Sequence, residues 1–339
     1  MTAPAGAARF DRRVGPGDPD RAGMPDHRER FTSYYGRPII KAPVWKWDIP
    51  AYLFTGGLAA GTALVAAASQ LTDRPRLRVV SRASALGAIG ASTYFLIHDL
   101  GRPERFHHML RVAKPTSPMS MGTWILAAFG PAAGIAAAAE LAPLLPRRGP
   151  LGWVGRALPV VGDAAGLAAG ALAPALATYT GVLLADTAVP AWHDAHPQLP
   201  FVFAAGALAS AAGITLLAAP PGEHPPARRL VFAAAATELT AVRKLVRMGL
   251  TGEPYRHGLA GRLIRGGRVM LAIGVAGSLL GRRSRAVSVV AGAACLASSA
   301  LIRFGVFQAG LVSARDPRYT VVPQRERRER RTAGDPTAD

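Results

Sequence analysis

Apolar residues in this chain come in long blocks rich in Ala, Gly, Leu and Val, separated by short arginine-rich stretches. No charged residue stands between Asp48 and Asp73, and about 20 apolar helical residues cross a hydrocarbon core about 30 Å thick. That block predicts a spanning helix over 49–72. The same pattern predicts seven more, over 79–98, 119–141, 159–184, 199–219, 229–248, 264–281 and 286–310. The second, sixth and seventh are weaker, because arginines or a glutamate shorten their uncharged runs. Arg78, Arg82, Arg265 and Arg268 are expected to snorkel from helix ends toward headgroups. A soluble helical bundle competes poorly with this picture, since soluble helices keep a polar face and these blocks are apolar all round.

The expected fold is therefore an all-α integral membrane protein with eight transmembrane helices, multi-pass in the cell membrane. An even count of crossings puts both termini on the same side. The pattern divides the chain into a polar N-terminal extension over 1–47, a membrane domain over 48–311 and a basic C-terminal tail over 312–339. The extension lacks an apolar stretch of the kind a cleaved signal peptide needs, and Arg12-Arg13 is followed by Val14-Gly15-Pro16-Gly17-Asp18 instead. The end of the tail is expected to be a solvated extension.

Composition agrees. Half of the 339 residues are apolar and 18% are charged, against roughly 25% charged in an average soluble domain. The net charge of +19 would suggest nucleic acid in a soluble protein. Here the arginines stand mostly in loops and tails, where anionic lipid headgroups meet them, so no nucleic-acid partner is expected. Loops on both faces carry arginine, so the positive-inside rule does not orient the chain.

What is missing bounds the chemistry. Cys295 is the single cysteine, whereas cysteine ligation of an iron–sulfur cluster takes four. Of the eight histidines only His98 falls at a predicted helix end and none lies within a span, so no facing pair is available for a membrane haem. No metal, haem or cluster is expected in this chain. Phosphate-binding loops, dinucleotide fingerprints and nucleophile elbows are likewise missing from the sequence.

Polar groups inside the predicted helices carry the remaining information. Glu238 falls near the middle of the sixth segment, where it suits either a proton relay or a pairing with an arginine such as Arg303. Alternate crossing puts the start of the first and third segments and the end of the second and fourth on one face. That face gathers Trp45, Trp47, Asp48 and Tyr52, the run His98-Asp99-Leu100-Gly101-Arg102-Pro103-Glu104-Arg105-Phe106, then Ser117, Ser120, Thr123 and Trp124, and finally Tyr179, Thr180, Asp186, Trp192 and His193. An aromatic interfacial belt explains the tryptophans. It does not explain the acids, bases and hydroxyls, which suit two-electron, two-proton chemistry on an amphiphilic headgroup.

The chain resembles the NrfD-like family, the membrane subunits of polysulfide reductase and related quinone-linked oxidoreductases. The resemblance rests on Trp45-Lys46-Trp47-Asp48-Ile49-Pro50-Ala51-Tyr52-Leu53-Phe54 with the glycines that follow, on His98-Asp99-Leu100-Gly101-Arg102-Pro103, and on Ser117-Pro118-Met119-Ser120-Met121-Gly122-Thr123-Trp124. Tyr179-Thr180-Gly181 and Arg303-Phe304-Gly305-Val306-Phe307-Gln308-Ala309-Gly310 complete it, in the family's order. It implies two four-helix bundles and a quinone, expected to be menaquinone, held by the first bundle near an iron–sulfur (ferredoxin-like) subunit. A molybdopterin-type oxidoreductase subunit is expected beyond that. Tyr52 and Tyr179 would bond the quinone carbonyls. Some members carry histidine where Tyr52 stands; tyrosine titrates near about 10 and histidine near about 6.5, so Tyr52 is cast as a donor, and His98 or Asp99 as the group that moves protons. Arg102, Glu104, Arg105 and Arg111 would dock the partner. An inert membrane anchor and a secondary transporter remain alternatives, the latter with a helix broken at Gly130-Pro131 and Glu238 as its coupling residue.

Overall fold

The computed structural model describes residues 39–146, 148–219, 223–281 and 284–332. Most of the N-terminal extension, with Arg12, Arg13 and His27, lies outside them, as do Arg147 and the last seven residues. The described residues form ten helices joined by short 3-10 turns, with no strand among them. In chain order these are α1 (Asp48–Leu71), α2 (Pro75–His98), α3 (Pro118–Ala139), α4 (Pro150–Ala185), the short α5 (Pro190–Asp194), α6 (Leu199–Ala218), α7 (Pro225–Val246), α8 (Gly258–Leu280), α9 (Arg285–Arg315) and α10 (Arg318–Thr332). Each of the eight predicted segments coincides with one long helix. Six of these, α1, α3, α4, α6, α8 and α9, are long and apolar enough to cross a membrane. The charges of α2 and α7 keep those two below that mark.

Local chemistry sets the ends. Ser117 and Ser284 accept hydrogen bonds from the backbone N–H groups of Ser120 and Val287, capping α3 and α9. Proline stands at the first turn of α2, α3, α4, α6 and α7, where its missing N–H costs nothing. The fourth helix begins at Pro150, well before the predicted 159, and Arg156 within its added turns folds back onto the Gly152 carbonyl at 3.1 Å and over the Trp153 ring. Likewise α3 runs unbroken through Pro131, so the chain is not interrupted where a transporter site was considered. The break between α9 and α10 falls at Asp316, whose extended backbone is what a following proline, Pro317, imposes.

Packing is close and built on small residues. α1 lies against α2 and α4, α3 against α4, α6 against α7 and α9, and α8 against α9, while α1 also touches α6. A Cβ at Gly61 would overlap the Ala207 backbone, and one at Gly310 would overlap the Trp192 ring. Such close approach is how helices associate where lipid removes the hydrophobic drive between them. Trp192 itself is fully buried, donates to the Val306 carbonyl at 2.8 Å and stacks on Trp45. Tyr255 donates to the Ala191 carbonyl at 2.9 Å and so fixes α5 against the turn before α8.

Two expectations about arginine are corrected. Arg82 does not reach for headgroups. It is 3% exposed and donates to Glu140 at 2.8 Å, Asp163 at 2.9 Å and Gln70 at 2.8 Å, tying α2 to the helices on either side. Arg78 adds a second bond to Glu140 at 2.9 Å. Arginine was read as interfacial because a lone guanidinium is costly in lipid, but two carboxylates and an amide remove that cost here. Nor does Arg303 pair with Glu238. It is buried among α1, α6 and α9, donates to the Phe203 carbonyl at 2.9 Å and lies over the Phe203 ring, in space that Gly57 and Gly206 leave open.

Candidate functional site

The site forms where α1, α2, α3 and α4 meet near one end. Tyr52 comes from the first turns of α1 and Tyr179 from the last turns of α4. Both rings are buried, and their hydroxyls are hydrogen-bonded to each other. α2 contributes Ser92, whose hydroxyl donates to the Tyr52 carbonyl at 3.3 Å. α3 contributes Gly122, where a Cβ would occupy the place of the Tyr179 ring. Thus each of the first four long helices supplies one residue, and the glycine in the Ser117–Trp124 motif is there to admit a phenol.

One turn closer to the end of the bundle lies a second polar pair. Asp48 stands four residues before Tyr52, hence on the same side of α1, and is 1% exposed. Its carboxylate meets His98 Nδ1 at 3.0 Å, while the His98 ring is more than half exposed and stacks on Tyr94. The pair therefore joins the buried interior to the surface. Asp99, the next residue, accepts from the Lys46 backbone N–H at 3.5 Å. Partial burial pushes its carboxyl above the usual range, the Asp48 carboxylate adds to this, and the Lys46 N–H pulls the other way.

From Asp99 the chain leaves the bundle. The 3-10 turn Pro103–Leu110 has no buried residue, and Arg102, Glu104, Arg105 and Arg111 are all exposed with Phe106 beside them. The loop is nevertheless anchored. Ser120 Oγ donates to the Val112 carbonyl at 2.7 Å and Trp124 Nε1 to the same carbonyl at 3.3 Å, while the Lys114 N–H donates to Ser120 Oγ at 3.0 Å.

A profile of the family described as Polysulphide reductase, NrfD matches residues 38–314. The chain belongs to the NrfD family. The match takes in all eight long helices, so this NrfD chain is an integral, multi-pass membrane protein. No curated protein matches it. Family membership accounts for a membrane subunit built to serve redox partners, and it directs attention to the end of the NrfD bundle where the tyrosines meet.

Sequence reasoning placed Tyr52, Tyr179, His98 and Asp99 on one face, and the fold brings the first two into contact. It also puts Asp48 between them and His98. Asp48 had been noticed only as part of an interfacial group. Its spacing of four from Tyr52 was the available signal, but burial of the carboxylate comes from helices far away in sequence. The two tyrosines, read as donors to the quinone carbonyls, are hydrogen-bonded to each other. Glu238 lies apart, on α7, with Arg268 of α8 as the charge beside it. Among the described residues no three of His, Cys, Asp and Glu come together as a metal-binding group.

Proposed function

We propose that this chain is the quinone-interacting membrane subunit of a multi-subunit oxidoreductase, exchanging electrons between an iron–sulfur partner and the membrane quinone pool, with menaquinone as the quinone. In this reading eight helices cross the bilayer as two four-helix bundles, α1 to α4 and α6 to α9. The observation that carries the proposal is the buried Tyr52–Tyr179 pair at a four-helix junction, one turn from a carboxylate–imidazole pair that opens to the surface.

The chemistry of the pair follows from its hydrogen bond. One phenol donates to the other, and the acceptor's own O–H is left to point elsewhere. The unit thus offers one outward donor for one carbonyl, and two rings on which a quinone can pack. A bound quinone supplies two-electron, two-proton chemistry. The residues around it supply the protons' route: Asp48 takes or gives at the buried end, and His98 passes to the surface, with Asp99 beside it. α2 and α3 touch each other more thinly than α2 touches α1 or α3 touches α4, which leaves a lateral seam through which an isoprenoid tail can stay in lipid.

Tyr52→Phe or Tyr179→Phe should weaken quinone affinity about twofold to tenfold, since a hydrogen bond of this kind contributes about 0.5–1.5 kcal/mol. Quinol titrations on the assembled complex measure this. An inert anchor would show no change in either variant, and unchanged kinetics would leave Glu238 as the next group to test as a proton relay.

The loop over 99–118 is the proposed docking surface, because its charges are exposed and an iron–sulfur cluster must come close to the quinone. Cross-linkers placed at Arg105 or Arg111 should capture the iron–sulfur subunit. Capture only through the loop between α1 and α2 would put the partner at the other end and remove the site assignment with it. The proposed partners also include a molybdopterin-type subunit beyond the iron–sulfur protein. The isolated chain should be colourless and iron-free, and a Soret band or stoichiometric iron would contradict the absence of ligands proposed for it.

A further inference from the structure

The outer side of the second group of helices carries a feature that quinone chemistry does not use. α7 and α8 pack against each other thinly, and between them lies an open furrow of about 770 Å³. Its walls are apolar for most of their length, with Leu239 from α7 and Val269, Val275 and Leu279 from α8. Val269 and Leu279 are each more than half exposed. Among the described residues that line it, charge gathers at one end. Arg265 and Arg268 line that end, and Arg262 continues the same exposed stripe of α8. The neighbouring end of α7 adds Arg243, Lys244 and Arg247, all exposed. Against these cations the furrow presents a single carboxylate, Glu238, itself 2% exposed beside Arg268.

From Arg265 to Leu279 the furrow extends about 21 Å at about 1.5 Å per residue. A single leaflet of a hydrocarbon core about 30 Å thick is about 15 Å deep. The furrow is therefore long enough to hold an acyl chain across a whole leaflet, and its lining has the polarity of an amphiphile, cationic toward one end and apolar for most of the rest. Arginine side chains on a helix lean toward its N-terminus, and Arg265 does so here, donating to the Arg256 carbonyl at 2.7 Å. The positive groups are thereby drawn to the α7–α8 connection, at headgroup level. A neutral lipid would leave that excess charge uncompensated.

We propose that the furrow between α7 and α8 is a binding site for an anionic phospholipid, its phosphate held by Arg262 and Arg265 and one acyl chain lying along Val269, Val275 and Leu279. Glu238 offsets Arg268 and keeps the deeper part of the furrow near neutral, so that the lipid's charge is drawn to the outer arginines. The site stands apart from the Tyr52–Tyr179 junction, and its occupant is a structural lipid and not a redox substrate.

Native mass spectrometry of the full chain, exchanged into detergent with equal phosphatidylglycerol and phosphatidylcholine, tests this directly. The expected result is one retained phosphatidylglycerol per chain. Retention should fall about tenfold or more in the double variant Arg262→Ala with Arg265→Ala, as each basic residue near the surface contributes about 1 kcal/mol toward an anionic lipid. Ala276→Trp, which fills the furrow without changing charge, should displace the same lipid, while Arg102→Ala with Arg105→Ala at the other loop should leave it in place. Equal retention of the two lipids, or undiminished phosphatidylglycerol in both furrow variants, would overturn the proposal. So would a disulfide-linked dimer of Ala276→Cys with no lipid retained, because a second protein chain would then fill the furrow.

Discussion

Arg82→Ala should destabilise the protein by about 3–5 kcal/mol, the effect of removing one partner from a buried ion pair. The guanidinium is 3% exposed and serves Glu140, Asp163 and Gln70 at once, so its loss takes one donor from each of three acceptors, on α1, on α4 and at the end of α3. Asp163 is nearly half exposed and can turn to water. Glu140, at 12%, retains Arg78 alone. Arg82→Lys should recover part of the loss, since an ammonium keeps the charge but lacks the fork that reaches three groups. Thermal unfolding in detergent, followed by circular dichroism, measures both. The effects of Arg82→Ala and Glu140→Gln should not add, because the second substitution neutralises a carboxylate that the first has already parted from Arg82. Melting of Arg82→Ala together with the unaltered protein would show that the network contributes nothing measurable.

Asp48→Asn and His98→Ala should each lower quinol turnover by about 100-fold or more while changing apparent quinol affinity by less than about twofold. Proton transfer by a positioned side chain contributes typically about 10²–10⁴-fold, and neither residue touches the phenol pair that would bind the headgroup. Asp48→Asn keeps size and hydrogen-bonding capacity, so a fall in turnover with intact folding isolates the charge. Asp99 supplies the pH signature. Its carboxyl is raised by partial burial and by Asp48, and only the ionised form can accept a proton. Quinol oxidation should therefore weaken as pH falls through that raised value, and Asp99→Asn should shift or remove this acidic limb. A pH–rate profile of Asp99→Asn that overlays the unaltered one would take Asp99 out of the route and leave His98 to carry it with Asp48.

Much of the architecture was legible because a bilayer imposes a simple rule on composition. Helix ends at Asp48, His98, Leu199 and Leu280 follow from where charge, proline and glycine interrupt apolar runs, and each was placed to within a few residues. The exceptions have physical causes. Arg156 bonds to its own helix and did not end it. Pro131 sits within α3 without breaking it.

The candidate site was legible as a list of residues on one face and not as an arrangement. Tyr52 and Tyr179 are 127 residues apart, and nothing local to either sequence says that their hydroxyls meet. Gly122 could be recognised as a small residue, but its purpose appears only once the Tyr179 ring is seen to lie where its side chain would be. Local composition decided which segments are helices and which residues are available for chemistry, because solvation acts on each segment separately. Which polar groups face one another was decided by the packing alone. A carboxylate such as Asp48, a guanidinium such as Arg82 and a furrow such as that between α7 and α8 depend on helices brought together from distant parts of the chain, where charge pairing and steric fit act between segments and leave no pattern within any one of them.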